Sequence, residues 1–134
     1  MQEEITRSTS KTYFPSHDVI GPYSPAVKSG SMLFVSGQIG LDPATSAFAS
    51  DNIEDQTKQA LTNLMGVLGR AGYDSSDVVQ CTVFLKDMKE FQRMNLIYGG
   101  FFAEGRYPTR STVEVANLPR NARIEIAAIA IKSK

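Results

Sequence analysis

The sequence is poor in the residues that form disulfides and hold metals. Its 134 residues include one cysteine, Cys81, so no disulfide can form within the chain and a reducing compartment is expected. The one histidine, His17, has no Asp, Glu or Cys at metal-ligand spacing, and we predict no metal site. Cys81 alternates with Val79, Val83 and Leu85 in an apolar strand, which indicates a small core residue rather than a nucleophile.

A surplus of charge of one sign is also missing. The 14 basic residues balance 14 acidic ones, so the chain lacks the basic surplus typical of nucleic-acid-binding proteins, and we do not expect nucleic acid as a partner. No apolar run approaches the roughly 20 residues that cross a bilayer. The acidic start Met1-Gln2-Glu3-Glu4 has none of the features of a signal or transit peptide. We therefore expect a cytoplasmic protein without membrane segments.

What is present fits one globular domain over residues 1–134. Hydrophobic residues make up 42% of the chain and charged residues 21%, as in ordinary folded proteins. Periodicity and turn residues predict six strands and two helices, with a proline-rich loop over 14–25. In chain order these are a weak edge strand at about 4–11, hairpin strands at 26–28 and 32–36, a helix at 53–71, a strand at 78–85, a helix at 88–103, and strands at 111–115 and 124–131.

The first helix has clear signals at both ends. We predict Asp51 as its N-cap and Gly72 as the residue that ends it. Gly66 and Gly69 lie inside it, and each costs roughly 1 kcal/mol relative to alanine. We interpret both as positions where the helix packs closely on the sheet.

The second helix begins after Asp87, its predicted N-cap, and carries an apolar stripe. That stripe consists of Phe91, Met94, Tyr98, Phe101 and Phe102. Gly99 and Gly100 interrupt the helical pattern and are expected to loosen it.

The order of the elements predicts an α+β fold in which both helices lie on one face of a mainly antiparallel or mixed sheet. The last strand, residues 124–131, is apolar on both faces after Glu125. Because two helices can cover one face only, we predict that another copy of the chain covers the other face.

Three polar residues occupy positions where apolar ones are expected. Arg110 starts a strand, Glu125 lies between Ile124 and Ile126, and Asn95 lies on the apolar stripe of the second helix. A buried charge is costly unless it is paired or used, and a buried amide needs partners. Taken singly, each has a structural explanation: Arg110 could pair with Glu114 or Glu125, and Asn95 could cap a loop. Together they favour a carboxylate-binding site around Arg110.

Several segments of the chain resemble the Rid (YjgF) family, which is also known as endoribonuclease L-PSP. The resemblance runs in order through nearly the whole chain, and the block around Arg110 is its most specific part. The segments are Ile20-Gly-Pro-Tyr-Ser-Pro-Ala-Val27, Val35-Ser-Gly-Gln-Ile39, Thr82-Val-Phe-Leu-Lys-Asp87, residues 95–102, Pro108-Thr-Arg-Ser-Thr-Val-Glu-Val115, and residues 118–126.

This resemblance implies a chorismate-mutase-like fold, a homotrimer, and ligand clefts between subunits. It also implies an activity without a cofactor, namely hydrolysis of reactive enamines and imines such as 2-aminoacrylate and 2-iminobutanoate to 2-keto acids and ammonia. Matched residue by residue, it makes Arg110 the ligand of the substrate carboxylate and Glu125 the acid that positions water and moves protons. Tyr23, Gly37, Asn95 and Thr112 match positions that line the cleft.

Two positions depart from the family pattern. Thr112 stands where bacterial members often have cysteine, and Ala127 where a second acid is common. We expect an altered substrate preference rather than loss of activity, since water is the nucleophile. Two alternatives stay open at this point: a module that binds small carboxylates without turnover, and an endoribonuclease, which the balanced charge and the lone histidine disfavour.

Overall fold

The computed structural model describes residues 10–15, 19 and 21–132. Within them a six-stranded sheet and a separate two-stranded hairpin accompany two α-helices, as predicted for the α+β class. The elements are β1 (Lys11–Phe14), β2 (Ala26–Ser29), β3 (Met32–Ile39), β4 (Leu41–Asp42), β5 (Ala47–Phe48), α1 (Ile53–Arg70), β6 (Val78–Leu85), α2 (Phe91–Tyr98), β7 (Thr109–Glu114) and β8 (Ile124–Ile131). No helix in this part of the chain is long and apolar enough to cross a membrane.

The main sheet is mixed, with strand order β1-β2-β3-β8-β6-β7. Strands β6 and β7 run parallel, and every other neighbouring pair is antiparallel. The last strand therefore lies near the middle of the sheet, between β3 and β6. Both helices pack on one face, where the alternate residues Leu33, Val83, Ile124 and Ile126 are completely buried.

The opposite face of the sheet has no helix over it. Large apolar side chains are exposed on this face, namely those of Phe34 (41%), Val113 (44%) and Ile131 (40%). An exposed set of large apolar side chains on one face is typical of a surface that another chain covers.

Helix α1 begins at Ile53, as predicted, but the residue that caps it differs. Its N-cap is Asn52, not Asp51: the Asn52 Oδ1 accepts a hydrogen bond of 2.8 Å from the Asp55 backbone N–H. Asp51 instead faces Arg123 at 3.5 Å. Gly72 ends the helical segment as predicted, with a φ of 85° that a side chain with a Cβ disfavours.

The interpretation of Gly66 and Gly69 as close-packing positions is wrong. A Cβ added at either residue would meet nothing within 4 Å, because both lie on the exposed side of α1. The glycine that brings α1 close to the sheet side is Gly40, after β3, where a Cβ would lie 2.6 Å from the Gln56 carbonyl oxygen.

The second helix is shorter than predicted. Residues 88–90 and 99–101 form 3₁₀ turns, so regular α-helix is confined to α2. Asp87 caps the first of these turns by accepting from the Lys89 backbone N–H at 2.9 Å. The apolar stripe is confirmed, since Met94, Tyr98 and Phe102 are buried and the other two members pack against them.

The first strand lies later than expected. Most of the predicted edge strand falls outside the described residues, and β1 continues through Phe14, which was assigned to the loop. Strand β7, in contrast, begins earlier than predicted, at Thr109 instead of Ser111. The hairpin of β4 and β5 was not predicted; Asp42 organises its turn by accepting from the backbone N–H groups of Ala44 and Ser46.

One prediction for β6 is also wrong. Val79 was placed on the same face as Cys81, yet it is 42% exposed, while Val78 is buried. The pairing of β6 with β8 shifts register between Val78 and Gln80, which marks a β-bulge. Such an irregularity reverses the alternation on one side of it.

Candidate functional site

Arg110 lies on the helix-covered face of the sheet, at its edge. In the parallel pairing of β6 and β7 it stands beside Cys81, which is completely buried under the helices. The Arg110 Cζ lies 4.7 Å from the centre of the Tyr98 ring and 5.4 Å from that of Phe91. These are cation–π distances, so two aromatic faces of the α2 segment hold the guanidinium in place.

The two ion pairs considered for Arg110 do not form within the chain. Glu114 is engaged elsewhere, since its Oε1 accepts a 2.7 Å hydrogen bond from the Met88 backbone N–H. Among the described residues, no carboxylate oxygen lies within 4 Å of Arg110. The guanidinium thus retains donors that can bind a ligand, and five N–H groups in a planar fork suit a carboxylate.

Besides the Tyr98 hydroxyl, two further polar atoms on this face are buried without a hydrogen-bond partner in the described part of the chain. They are Asn95 Oδ1 and Thr112 Oγ1. Asn95 lies between Phe91 and Tyr98 on one side of α2, since residues three or four apart share a helix face. Thr112 is two residues beyond Arg110 and therefore on the same face of β7. We call Arg110, Asn95 and Thr112 the arginine half-site.

The apolar pattern of the second helix predicts Phe91 and Tyr98 as core residues and does not reveal their contact with Arg110. A signal was available, because both share a helix face with Asn95 at spacings of four and three residues. Beneath them, burial raises the pKa of the Cys81 thiol, although the Tyr98 hydroxyl and the Arg110 charge oppose the shift. A buried thiol with a raised pKa is a core residue, as predicted.

Glu125 lies on the other face of the sheet. It pairs with Phe84, three residues from Cys81 on β6, whereas its neighbours Ile124 and Ile126 are completely buried beneath the helices. Burial raises the pKa of the Glu125 carboxyl, as the sequence predicts for an acid in an apolar strand.

Gly37, on strand β3, lies directly against the side chain of Glu125 on the adjacent strand β8. A Cβ added at Gly37 would overlap the Glu125 carboxyl group, so this glycine leaves the space that the acid occupies. The register of β3 against β8 shifts between Val35 and Gln38, on either side of Gly37. We call Glu125 and Gly37 the glutamate half-site. Ala127, two residues along β8, shares its face and supplies no second acid.

Tyr23 belongs to the loop that leads into β2. Its side chain is 51% exposed. The loop is tied to β3 next to Gly37, because Ser36 Oγ donates a 2.6 Å hydrogen bond to the Ser24 carbonyl and the Ser36 N–H donates to the Pro25 carbonyl at 2.8 Å. These two hydrogen bonds hold the loop that carries Tyr23 beside Ser36, the residue that precedes Gly37 of the glutamate half-site.

Within one chain the predicted site residues fall into two groups that do not meet. Arg110 aligns with Cys81, and Glu125 aligns with Phe84; residues three apart in a strand point to opposite faces. The sheet itself therefore separates the guanidinium from the carboxyl. His17, the other titratable residue considered, lies outside the described residues.

Comparison with known proteins identifies the family. The sequence model of the family described as endoribonuclease L-PSP matches residues 15–132. A RutC family protein of Pyrococcus horikoshii is 49% identical over 113 residues, which are 84% of this chain and 89% of that protein. The chloroplastic Reactive Intermediate Deaminase A of Arabidopsis thaliana is 46% identical over 111 residues, 83% of this chain and 59% of its own length.

Solved structures agree in fold. A protein of the Rid family from Yersinia pestis superposes with a TM-score of 0.86 at 36% identity, covering 92% of this chain and 100% of its own. Escherichia coli TdcF, solved with bound serine, has a TM-score of 0.82 at 40% identity, with 90% of this chain and 94% of TdcF covered. With a family match over residues 15–132 and the same mixed sheet carrying two helices, this chain belongs to the Rid (YjgF) family.

Proposed function

We propose that this protein hydrolyses reactive enamines and imines of small 2-imino acids, such as 2-aminoacrylate and 2-iminobutanoate, to 2-keto acids and ammonia. The observation that carries the proposal is Arg110, which has no ion pair among the described residues and is held against two aromatic rings. Three buried polar atoms on the same face, those of Asn95, Tyr98 and Thr112, also lack a hydrogen-bond partner there. The relatives supply the reaction type and the size of the ligand: one is named a reactive intermediate deaminase, and another binds serine.

In this mechanism Arg110 binds the substrate carboxylate through two parallel charge-assisted hydrogen bonds. Glu125 takes a proton from a water molecule as its oxygen attacks the imine carbon. The same carboxyl then returns the proton to nitrogen, which gives a carbinolamine. In a second transfer the carboxylate carries the proton of the carbinolamine hydroxyl to the amine nitrogen, the carbon–nitrogen bond breaks, and ammonia leaves behind a carbonyl group. The raised pKa of Glu125 suits an acid that must both accept and donate a proton near neutral pH.

The separation of the half-sites requires a second copy of the chain. A substrate bound at Arg110 can meet a Glu125 only from a neighbouring subunit, because the sheet lies between the two residues of one chain. The exposed apolar face that carries Glu125 also bears Phe34 and Val113, and docking of another copy there would cover it. We infer a homotrimer with clefts between subunits, working in the cytoplasm without a cofactor.

The test couples a serine or threonine dehydratase to this protein and times keto-acid release. We expect acceleration by the wild type and a loss of about 100-fold in kcat/KM for Arg110→Ala, since two hydrogen bonds to a charged group are removed. Arg110→Lys keeps the charge but not the fork and should fall between the two. The matched control is Arg106→Ala, which removes an exposed arginine nearby and should leave the rate unchanged.

Absence of acceleration by the wild type, or equal acceleration by Arg110→Ala, would refute the proposal. Keto-acid binding that depends on Arg110 but comes without turnover would instead identify a carboxylate-binding module. If both the wild type and Arg110→Ala cleave RNA, the endoribonuclease activity in the family's label would be favoured instead.

A further inference from the structure

Thr112 carries a hydroxyl for which the proposed substrates have no partner. We propose that Thr112 makes this protein selective for 2-imino acids that bear a hydroxyl group on the side chain. The inference rests on the proposed function and adds the class of substrate that the arginine half-site accepts.

The polar atoms of the half-site can be counted against those of a ligand. The Arg110 fork matches the carboxylate, and Asn95 Oδ1, an acceptor, matches the N–H of an imine. An aliphatic imino acid such as 2-iminobutanoate then has nothing left but a methyl group, while the hydroxyls of Thr112 and Tyr98 both remain buried and unsatisfied. A buried polar atom without a partner is unfavourable, so a ligand that supplies one should be preferred.

The position of Thr112 fits contact with the ligand side chain. It is on the same face of β7 as Arg110 and two residues away, a spacing of about 7 Å along a strand. Its pairing partner on β6 is Val83, which is completely buried and apolar. The Thr112 hydroxyl thus lies beside an apolar side chain, where it can discriminate a hydroxyl from a methyl group of the same size.

This preference indicates which reactions supply the substrate. Dehydration of a hydroxylated amino acid removes the side-chain hydroxyl as water. Oxidation of its amine to an imine, by an enzyme with its own electron acceptor, removes two electrons and two protons and leaves the hydroxyl in place. An enzyme of the second class, an amino-acid oxidase or dehydrogenase, would yield the substrate that Thr112 prefers.

The experiment compares two imines of the same shape. An L-amino-acid oxidase generates 2-imino-3-hydroxypropanoate from serine and 2-iminobutanoate from 2-aminobutyrate, which differ by a hydroxyl in place of a methyl group. Their hydrolysis gives hydroxypyruvate and 2-oxobutanoate, whose binding to the protein is measured separately by titration. We expect the wild type to favour the hydroxylated member of each pair about five- to tenfold, the net effect of one hydrogen bond.

The decisive variants are Thr112→Val, which has the same shape without the hydroxyl, and Thr112→Ser, which keeps it. The preference should fall to about one in Thr112→Val and persist in Thr112→Ser. A ratio is insensitive to partial misfolding, because both substrates meet the same active fraction.

A wild-type ratio near one would overturn the inference. So would a Thr112→Val protein that loses affinity for both ligands equally, because the hydroxyl would then bind the shared carboxylate. The proposed function is tested separately. Selective binding without imine hydrolysis would refute the deaminase and support the role of Thr112. Equally efficient hydrolysis of both imines would support the deaminase and refute the role of Thr112.

Discussion

At the scale of single residues, Arg110 and Glu125 are placed by different physical means. Arg110 is positioned by aromatic rings, which orient a cation without neutralising it or occupying its N–H donors. Glu125 is positioned by a glycine that leaves room for its carboxyl and by an apolar strand that disfavours its charge. Both arrangements leave the functional group free for a ligand.

The raised pKa of Glu125 has a consequence for stability. A carboxyl whose pKa is higher in the folded than in the unfolded protein stabilises the fold at low pH, and this contribution is lost as the pH rises through the folded pKa. Glu125→Gln, which is neutral throughout, should therefore gain in thermal stability relative to the wild type between about pH 4 and about pH 7. The midpoint of thermal unfolding of both proteins at the two pH values measures this.

The matched control is Glu104→Gln, at an exposed position. Because water surrounds that carboxyl, its removal should shift the midpoint similarly at the two pH values. A difference between Glu125→Gln and wild type that does not change with pH would show that burial does not affect the charge of Glu125.

The sequence could single out candidate site residues but not how they are arranged in the fold. Arg110, Glu125 and Asn95 stand out because a polar residue in an apolar pattern is visible in one segment alone. Whether two such residues share a face depends on the register between strands, and register is not encoded within a single strand. The alternative in which Arg110 pairs with Glu125 fails for this reason, since register puts the two on opposite faces. Glu114 lies on the same face as Arg110 but accepts from the Met88 backbone N–H instead.

At the scale of elements, the long periodic segments were predicted well and their ends less well. β6, β8 and α1 agree with prediction within a residue. Asn52 and Asp51 are both good N-caps, so local preference could not decide between them. The bulge at Val79 arises from pairing with β8, and the hairpin of β4 and β5 has strands of two residues, too short to show a period.

The exposed glycine in α1 provides a test of this description. Gly66→Ala should stabilise the protein by about 1 kcal/mol, because alanine has the higher helix propensity and its Cβ meets no atom within 4 Å. Urea unfolding measures the change. In contrast, Gly40→Ala should destabilise the protein, since its Cβ would lie 2.6 Å from the Gln56 carbonyl oxygen. Destabilisation by Gly66→Ala would restore the interpretation that this glycine is needed for packing.

At the scale of the whole molecule, the central feature is a sheet that bears one half-site on each face. The helices cover the face that carries Arg110. The face that carries Glu125 is exposed and bears large apolar side chains. Assembly would bury that surface and at the same time bring a second chain's Glu125 to the substrate. The two-faced last strand, which the sequence predicts, thus fits the proposed cleft between chains.

Mixing two inactive variants tests this central claim most directly. Arg110→Ala and Glu125→Gln subunits, each inactive alone, are unfolded together in equal amounts and refolded, and imine hydrolysis is then measured. If each cleft takes its arginine from one chain and its glutamate from the next, about one quarter of the clefts in random assemblies are intact. We predict recovery of activity to about that fraction of wild type, whereas a mixture as inactive as its components would contradict a shared cleft.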